Sequence, residues 1–188
     1  MIIISLPYRN EQSLRKVEMA GLTEYRIDSC PYPQSINFSV FDDRCILTYK
    51  GKSSGPELLS KMMQSSSLVD LDIDDPARLI HRHDSARLII SLHLQRFDRE
   101  RIEQLLHLQG DYYALKIVFE AESFEEILQT QAMIKNSGQP RVIFNVTGRY
   151  AAFQRPLYRF FSSFAVYLYY TESTYPGQLS LAQFQQIS

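Results

Sequence analysis

Several features that mark common classes of protein are missing from this sequence. It has no tryptophan and only two cysteines in 188 residues. Cys30 and Cys45 form no CxxC motif, so we expect two free thiols in a cytoplasmic protein. No apolar run approaches the roughly 18 residues that span a bilayer, so no membrane association is expected. The opening segment MIIISLPYRN lacks the length and the basic flank of a signal peptide.

An excess of charge of either sign is also missing. The net charge is −1 and the isoelectric point is about 6.4. Because no basic stripe offers a surface for phosphates, a nucleic-acid partner is not expected. The chain does have 45% hydrophobic residues, including 12 tyrosines and 11 phenylalanines. That is enough for one substantial core, and we expect a single domain over residues 1–188.

Apolar runs rich in β-branched residues recur along the chain and are typical of buried strands. We predict strands at 2–8, 22–28, 45–50, 68–74, 86–94, 113–121, 141–148 and 163–170. Helical patterns occupy most gaps between them, at 10–20, 56–64, 99–108, 123–137 and 153–161. The segment 29–44 is the exception and is predicted to be a loop or only briefly helical.

The clearest helix signal covers Ser123–Ser137. Ser123 and Glu126 have the spacing of a capping box, in which each side chain binds the backbone of the other. Gly138 and then Pro140 follow, and these residues commonly end a helix.

Strands that alternate with helices predict a parallel sheet with helices outside it. Eight such units favour a (β/α)8 TIM barrel. Because that barrel usually takes about 250 residues, this one would be shortened. An open, doubly wound sheet is the alternative. Its dinucleotide-binding form has little support, since no GxGxxG motif follows the first strand.

Polar residues share one face of successive predicted strands. Side chains alternate between the two faces of a strand, and a barrel's polar face must point inward because helices cover the outside. The inward residues would be Glu24, Arg26 and Asp28, then Thr48 and Lys50, then Asp70, Asp72 and Asp74, then Ser91 and His93, and finally Lys116. Most lie late in their strands, where catalytic groups of barrel enzymes are found.

Each of these residues also has a structural interpretation. Lys116 and His93 could be partners in buried salt bridges, Glu24 could pair with Arg26, and the aspartates could line a solvated edge. Because so many polar side chains of otherwise apolar strands point into one predicted interior, a single polar site is favoured.

Five motifs make the sequence resemble a type I 3-dehydroquinate dehydratase. They are Glu24-Tyr25-Arg26-Ile27-Asp28, Ile89-Ile90-Ser91-Leu92-His93, the run from Asp111 to Lys116, Arg155 within GRYAAFQRPL, and Thr174-Tyr175-Pro176-Gly177-Gln178. The first and the last are the most specific, and the resemblance covers almost the whole chain.

The chain departs from the family pattern near the third strand. Thr48-Tyr49-Lys50 stands where the family has T-x-R, and lysine cannot give the two-pronged contact of arginine. Ser54 occupies the place of a glutamate that orients the histidine. Gln154 replaces the serine that usually precedes the arginine, and Thr174 replaces the lid serine but keeps a hydroxyl.

The resemblance implies dehydration of 3-dehydroquinate to 3-dehydroshikimate in the shikimate route to aromatic amino acids. Lys116 would attack the ketone and form an imine, which serves as an electron sink. We expect burial and nearby cations to lower the pKa of Lys116 and to supply a neutral amine. His93 would move protons as a general base and then a general acid.

The same resemblance assigns the substrate contacts. Arg155 would bind the carboxylate, Glu24, Arg26 and Gln178 the hydroxyls, with Lys50 supplying positive charge and Thr174 a lid hydroxyl. No metal or organic cofactor is expected. We interpret His81 and His83 as surface residues, since their spacing does not suit zinc. The substrate is the one expected small-molecule partner, and a homodimer fits the family.

Two other functions stay open at this point. One is a non-catalytic barrel that binds a small carboxylate ligand or a partner enzyme, which the altered third-strand turn would suit. The other is a different lysine-imine barrel, such as an aldolase.

Overall fold

The computed structural model describes residues 1–14, 21–50, 56–75, 86–174 and 177–187, which form a curved sheet of nine parallel strands with helices outside it. The strands are β1 Ile2–Pro7, β2 Leu22–Arg26, β3 Cys45–Thr48, β4 Leu68–Asp72, β5 Leu88–Leu94, β6 Ala114–Glu120, β7 Val142–Thr147, β8 Val166–Tyr169 and β9 Leu179–Ser180. All eight predicted strands are confirmed. The additional strand, β9, is a two-residue element beside β8.

Three of the predicted helices are confirmed. The helices are α1 Pro56–Gln64, α2 Arg99–Leu106, α3 Phe124–Ser137, α4 Ala151–Gln154 and α5 Leu181–Ile187. In α3 the capping box of Ser123 and Glu126 is present, and Gly138 ends the helix with a φ of 70°. That left-handed conformation favours glycine.

The helix predicted over 153–161 is wrong. The structure has only the short α4, and the chain continues as turns. Pro156 explains the early stop, because its nitrogen carries no hydrogen to extend the helical ladder. The helix predicted over 10–20 is represented by the 3-10 turn Glu11–Ser13, and residues 15–20 lie outside the described part. Segment 29–44 holds only the short turns Pro33–Ser35 and Phe38–Val40, as predicted.

The strand order distinguishes a barrel from an open sheet. It runs β7-β6-β5-β4-β3-β2-β1-β8-β9, so β8 lies beside β1 and the curled sheet brings it back towards β7. Across this β7–β8 seam, the N–H of Phe164 donates to the carbonyl of Val142 at 2.7 Å. Higher up, the hydroxyl of Ser163 accepts from the N–H of Phe144 at 2.8 Å. The fold is a shortened (β/α)8 barrel, and the doubly wound alternative is wrong.

Two apolar clusters stabilise this barrel. The larger lies between the strands and the helices, where Leu115, Ile117 and Phe119 of β6 face outward. The smaller fills the lower interior of the barrel and includes Ala114 of the same strand. The inward direction of Lys116, two residues after Ala114, follows from this alternation.

Cys30 and Cys45 are free thiols, as the sequence predicted. Among the described residues, no helix has the length and apolar character needed to cross a membrane.

Candidate active site

The barrel interior is built in layers, because each strand turns alternate residues inward. The bottom layer is apolar and takes one residue from each of the first eight strands or the residue just before it: Ile3, Leu22, Ile46, Leu68, Ile89, Ala114, Ile143 and Ala165. Two residues further along each strand lies a buried polar layer: Ser5, Glu24, Thr48, Asp70, Ser91, Lys116, Asn145 and Tyr167. We refer to these eight residues as the polar layer.

Above the polar layer opens a pocket of about 320 Å³. Its lining comprises Glu24, Arg26, Thr48, Lys50, Asp72, His93, Lys116, Val118, Asn145, Arg155, Tyr167, Thr174 and Gln178. All eight site residues predicted from the sequence are in this set. The structure therefore brings them together, while the role of each stays a prediction.

Lys116 is held in the polar layer by a carboxylate. Its side chain is only 7% exposed, and its Nζ lies 2.7 Å from Oδ2 of Asp70 and 3.6 Å from Oε1 of Glu24. The same Nζ lies over the ring of Tyr167, 4.1 Å from the centroid. Lys50 binds the other oxygen of Asp70 at 3.0 Å and donates to the hydroxyl of Ser91 at 2.6 Å. Asp70 thus joins two lysines.

The expectation that the pKa of Lys116 is lowered is wrong for this state of the molecule. Burial by itself does lower the pKa, but Asp70 and Glu24 act against it, and the net pKa of Lys116 is raised. Conversely, burial alone would raise the pKa of Asp70, but Lys116 and Lys50 hold it well below its usual range. Lys116 therefore rests as an ammonium group paired with a carboxylate.

Glu24 and Arg26 do not form the ion pair considered from the sequence. Glu24 accepts hydrogen bonds from the hydroxyls of Ser5 and Thr48, the latter at 2.8 Å. Arg26 makes a two-pronged contact with Asp28, at 2.9 and 2.6 Å. Both side chains thus reach the pocket with their orientation fixed by other partners.

Thr174 and Gln178 line the pocket on the β1–β2 side. The hydroxyl of Thr174 lies 2.6 Å from that of Ser5, and its carbonyl accepts from Arg26 at 3.2 Å. Oε1 of Gln178 accepts from both the N–H and the hydroxyl of Thr174. Gly177 has a φ of 75°, and a Cβ there would lie 3.2 Å from that of Ala151. Glycine is therefore required for this close approach.

Arg155 and Gln154 lie at the β7–β8 seam. Arg155 is 2% exposed, and its two terminal nitrogens donate to the carbonyls of Val146 and Tyr167, one on each strand. The amide of Gln154 donates to the carbonyl of Phe144 and accepts from the N–H of Val146. Gln154, which replaces the family's serine, therefore satisfies backbone groups at the edge of β7. The guanidinium of Arg155 connects β7 to β8 and also lines the pocket.

His93 is a neutral imidazole at pH 7. Burial, followed by the charges of Lys50 and Lys116, lowers its pKa well below the ordinary value of 6.5. Ser54, which stands where the family has the orienting glutamate, lies outside the described residues, as do His81 and His83. Asp72 lines the pocket, and its carboxylate accepts from the N–H of Asp74.

This lowered pKa has a consequence for stability. Below pH 6.5 the unfolded chain binds a proton at His93 that the folded chain does not bind, so stability is lost as the pH falls. We expect this residue to cost about 1 kcal/mol of unfolding free energy between pH 6.5 and 5.5.

Urea unfolding at both pH values checks this expectation. In His93→Gln the loss between the two pH values should be smaller than in the wild type by that amount. Gln104→Ala, a change at an exposed residue that carries no titratable group, is the control and should keep the wild-type loss. Equal losses in wild type and His93→Gln would contradict a depressed pKa.

Sequence reasoning missed part of the site. Asp70 was placed on the inner face, with a solvated edge as the alternative, but was given no part in the site, and Asn145 and Tyr167 were not considered at all. The signal was available, because each lies two residues after an apolar residue that faces the interior. Asn145 and Tyr167 were missed because neither carries a charge, and only polar residues of strands that contain charged side chains were singled out.

The comparisons with known proteins agree on one family. The sequence model described as type I 3-dehydroquinase matches residues 48–188. A curated 3-dehydroquinate dehydratase from Methanospirillum hungatei JF-1 is 30% identical over an alignment of 210 residues, which covers 100% of this chain and 79% of that protein.

Solved structures of low sequence identity share the fold. The 3-dehydroquinate dehydratase from Aquifex aeolicus VF5 is 18% identical with a TM-score of 0.76, covering 100% of this chain and 96% of that one. The enzyme from Geobacillus kaustophilus HTA426 is 16% identical with a TM-score of 0.76, covering 99% and 88%. Because the family model spans most of the sequence and a relative aligns with all of it, the chain belongs to the type I 3-dehydroquinase family.

Proposed function

We propose that this protein catalyses the dehydration of 3-dehydroquinate to 3-dehydroshikimate, in the shikimate pathway, through an imine on Lys116. The observation that carries the proposal is the buried Lys116. It opens into a pocket of about 320 Å³ that also contains a neutral histidine, two arginines and a second lysine. A pocket of this size suits a small polar ring, and its cations suit a carboxylate.

Imine formation requires Lys116 to lose a proton first, because the resting ammonium has no lone pair. Asp70 is a poor acceptor, since the two lysines stabilise its charged form. His93 is neutral and lines the same pocket, so it is the group available to take the proton. The free amine adds to the ketone, and His93 returns the proton to the hydroxyl of the addition product, so loss of one water leaves a protonated imine and a neutral His93.

Dehydration then needs one proton removed and one returned. His93 takes a proton from the methylene carbon next to the imine, and the electron pair moves into the protonated imine. The hydroxyl on the following carbon leaves with a proton from His93, which forms the carbon–carbon double bond and a second water. Hydrolysis of the imine consumes one water and frees Lys116, so the net products are 3-dehydroshikimate and one water.

Substrate binding is assigned to the remaining lining residues. Arg155 is our candidate for the carboxylate, because its buried guanidinium keeps a full positive charge beside the pocket. Glu24, Arg26 and Gln178 are the candidates for ring hydroxyls. Thr174 is our candidate for a side chain that limits the access of water to the imine, since its hydroxyl contacts that of Ser5 at the β1 side of the pocket.

Lys50 has a different place from the arginine it replaces. Its ammonium group is engaged with Asp70 and Ser91 at the level of the polar layer. We assign it to charge balance and to keeping His93 neutral, rather than to a two-pronged substrate contact.

The test is an assay with 3-dehydroquinate, in which the conjugated enone of the product gives a new ultraviolet absorbance. Borohydride added during turnover should reduce the imine and leave a stable adduct on Lys116, located by peptide mass spectrometry. Binding of the substrate without absorbance change or adduct would instead favour the non-catalytic barrel. An adduct formed only with aldehydes or sugar phosphates would favour an aldolase.

We place the activity in the cytoplasm, a location that the two free thiols support. The family resemblance also suggests a homodimer, which sedimentation equilibrium measures directly. Cell fractionation followed by the same enzyme assay tests the location.

A further inference from the structure

Asn145 of β7 is buried in the wall of the pocket and has open hydrogen-bonding atoms. The residue is 2% exposed and belongs to the pocket lining. Among the described residues, none provides a hydrogen-bond partner for its amide nitrogen or its amide oxygen. About 90% or more of buried polar groups in proteins have a partner. A buried amide with both atoms open beside a pocket therefore indicates a ligand that binds it.

The backbone around Asn145 is held by the segment that carries Arg155. The side chain of Gln154 donates to the carbonyl of Phe144 at 2.9 Å and accepts from the N–H of Val146 at 3.3 Å. One terminal nitrogen of Arg155 donates to the carbonyl of Val146 at 3.3 Å, and the other donates to a carbonyl of β8 at 2.9 Å. The residues on both sides of Asn145 are thus bound by this segment, and the amide and the guanidinium line the same side of the pocket.

The charges around the pocket favour an anion on this side. Among the described lining residues, the acidic ones are Glu24 and Asp72, which belong to β2 and β4. The β7–β8 side offers instead the cation of Arg155 and the neutral amide of Asn145. An anion is repelled by carboxylates and attracted by a guanidinium, so the carboxylate of a substrate would lie at the β7–β8 seam.

We propose that Asn145 binds the substrate carboxylate together with Arg155, and so selects substrates that carry this group. Two N–H groups of the guanidinium donate to backbone carbonyls, so a second donor beside it adds a directed contact to its charge. A carboxylate has two acceptor oxygens, and the amide nitrogen of Asn145 has two N–H donors. Because neither amide atom is held by a protein partner, the amide can turn its nitrogen towards the anion. This inference rests on the proposed function.

The proposed contact concerns binding rather than bond breaking. The carboxylate takes no part in imine formation or in the loss of the hydroxyl, so its contact with Asn145 exists before and during the reaction. A contact that is equally strong in the bound substrate and in the transition state lowers KM and leaves kcat unchanged.

Kinetics and stability measured together test the proposal. Asn145→Leu and Asn145→Ala should each lower kcat/KM for 3-dehydroquinate by about 10- to 100-fold, with kcat within about threefold of the wild type. The urea midpoint of Asn145→Leu should equal that of the wild type or rise, because the variant removes an unsatisfied buried amide. Asn136→Leu makes the same chemical change at an exposed position of α3 and should alter none of these values.

An analogue of 3-dehydroquinate with a hydrogen in place of the carboxylate isolates the contact. Wild type and both Asn145 variants should process this analogue with kcat/KM values within about twofold of one another, since the contact is absent in all three. A penalty that persists with the analogue would show a general disturbance of the pocket. A fall in kcat with an unchanged KM would assign Asn145 to the reacting bonds. Either result would overturn the proposal.

The failure of the proposed function gives a different result. If the wild type binds 3-dehydroquinate without turning it over, the proposed function fails and the comparison between wild type and variants is made on Kd. Equal Kd values in wild type and Asn145→Leu would then overturn this inference as well, and a Kd raised about 10- to 100-fold would support it. Absence of binding to the wild type would overturn both.

Discussion

Lys116→Met is expected to lower kcat for 3-dehydroquinate by at least about 10⁴-fold and to abolish the borohydride adduct. A thioether cannot form an imine, so the variant loses the covalent route, and residues that act as one catalytic unit cost this much when removed. Steady-state absorbance kinetics and peptide mass spectrometry measure the two effects.

The variant should remain folded. Methionine suits a buried site of this shape, and Asp70 keeps Lys50 as a partner at 3.0 Å when Lys116 is gone. Urea unfolding checks this point. Lys61→Met removes a partly exposed lysine of α1 and is the matched control, which should retain the wild-type kcat and adduct. An adduct that persists in Lys116→Met would assign the imine to a different amine, with Lys50 the nearest candidate.

Much of the fold could be predicted because the strands are nearly continuous apolar runs. Their alternation also predicted which residues face the interior, and this is why Glu24, His93 and Lys116 were found from single positions in separate strands. The prediction over 153–161 failed because an apolar helical spacing was given more weight than Pro156, whose missing N–H decides the end of α4.

The electrostatics of the site could not be predicted in the same way. Whether Lys116 has cations or carboxylates as its nearest neighbours depends on the stagger between strands. Ser91 pairs with Lys116 and Thr48 with Asp70, and the curvature of the sheet then brings Asp70 to 2.7 Å from the amine. A sequence pattern gives the face of a strand but not these distances, and the sign of the pKa shift follows from them.

The side chains at the β7–β8 seam show the same limit. Nothing in the sequence pattern indicates that the side chains of Gln154 and Ser163 bind backbone groups of β7. Where β7 lies next to β8, the N–H groups of Phe144 and Val146 have no partner on a neighbouring strand, and the side chains of Ser163 and Gln154 accept from them. A buried N–H or carbonyl left without a partner is costly, so polar side chains at this position stabilise the closed barrel.

Asp70→Asn is expected to cost about 3–5 kcal/mol of unfolding free energy, which is a large share of the roughly 5–15 kcal/mol that stabilises most proteins. The change leaves Lys50 and Lys116 side by side without the carboxylate that both contact. Urea unfolding measures the effect. Asp72→Asn alters the next inward residue of the same strand and keeps an oxygen for the N–H of Asp74, so its cost should stay within about 0.5 kcal/mol.

The double variant Lys50→Met with Asp70→Asn tests whether one carboxylate really serves two lysines. Removing Lys50 leaves less positive charge around the neutral amide, so the double variant should be more stable than the sum of the two single losses predicts. Lys116 keeps its contact with Glu24 at 3.6 Å in every variant of this set. A coupling energy near zero would mean that Lys50 and Asp70 stabilise the barrel independently. A loss of unfolding free energy below about 1 kcal/mol in Asp70→Asn would mean that Glu24 alone compensates the charge of Lys116.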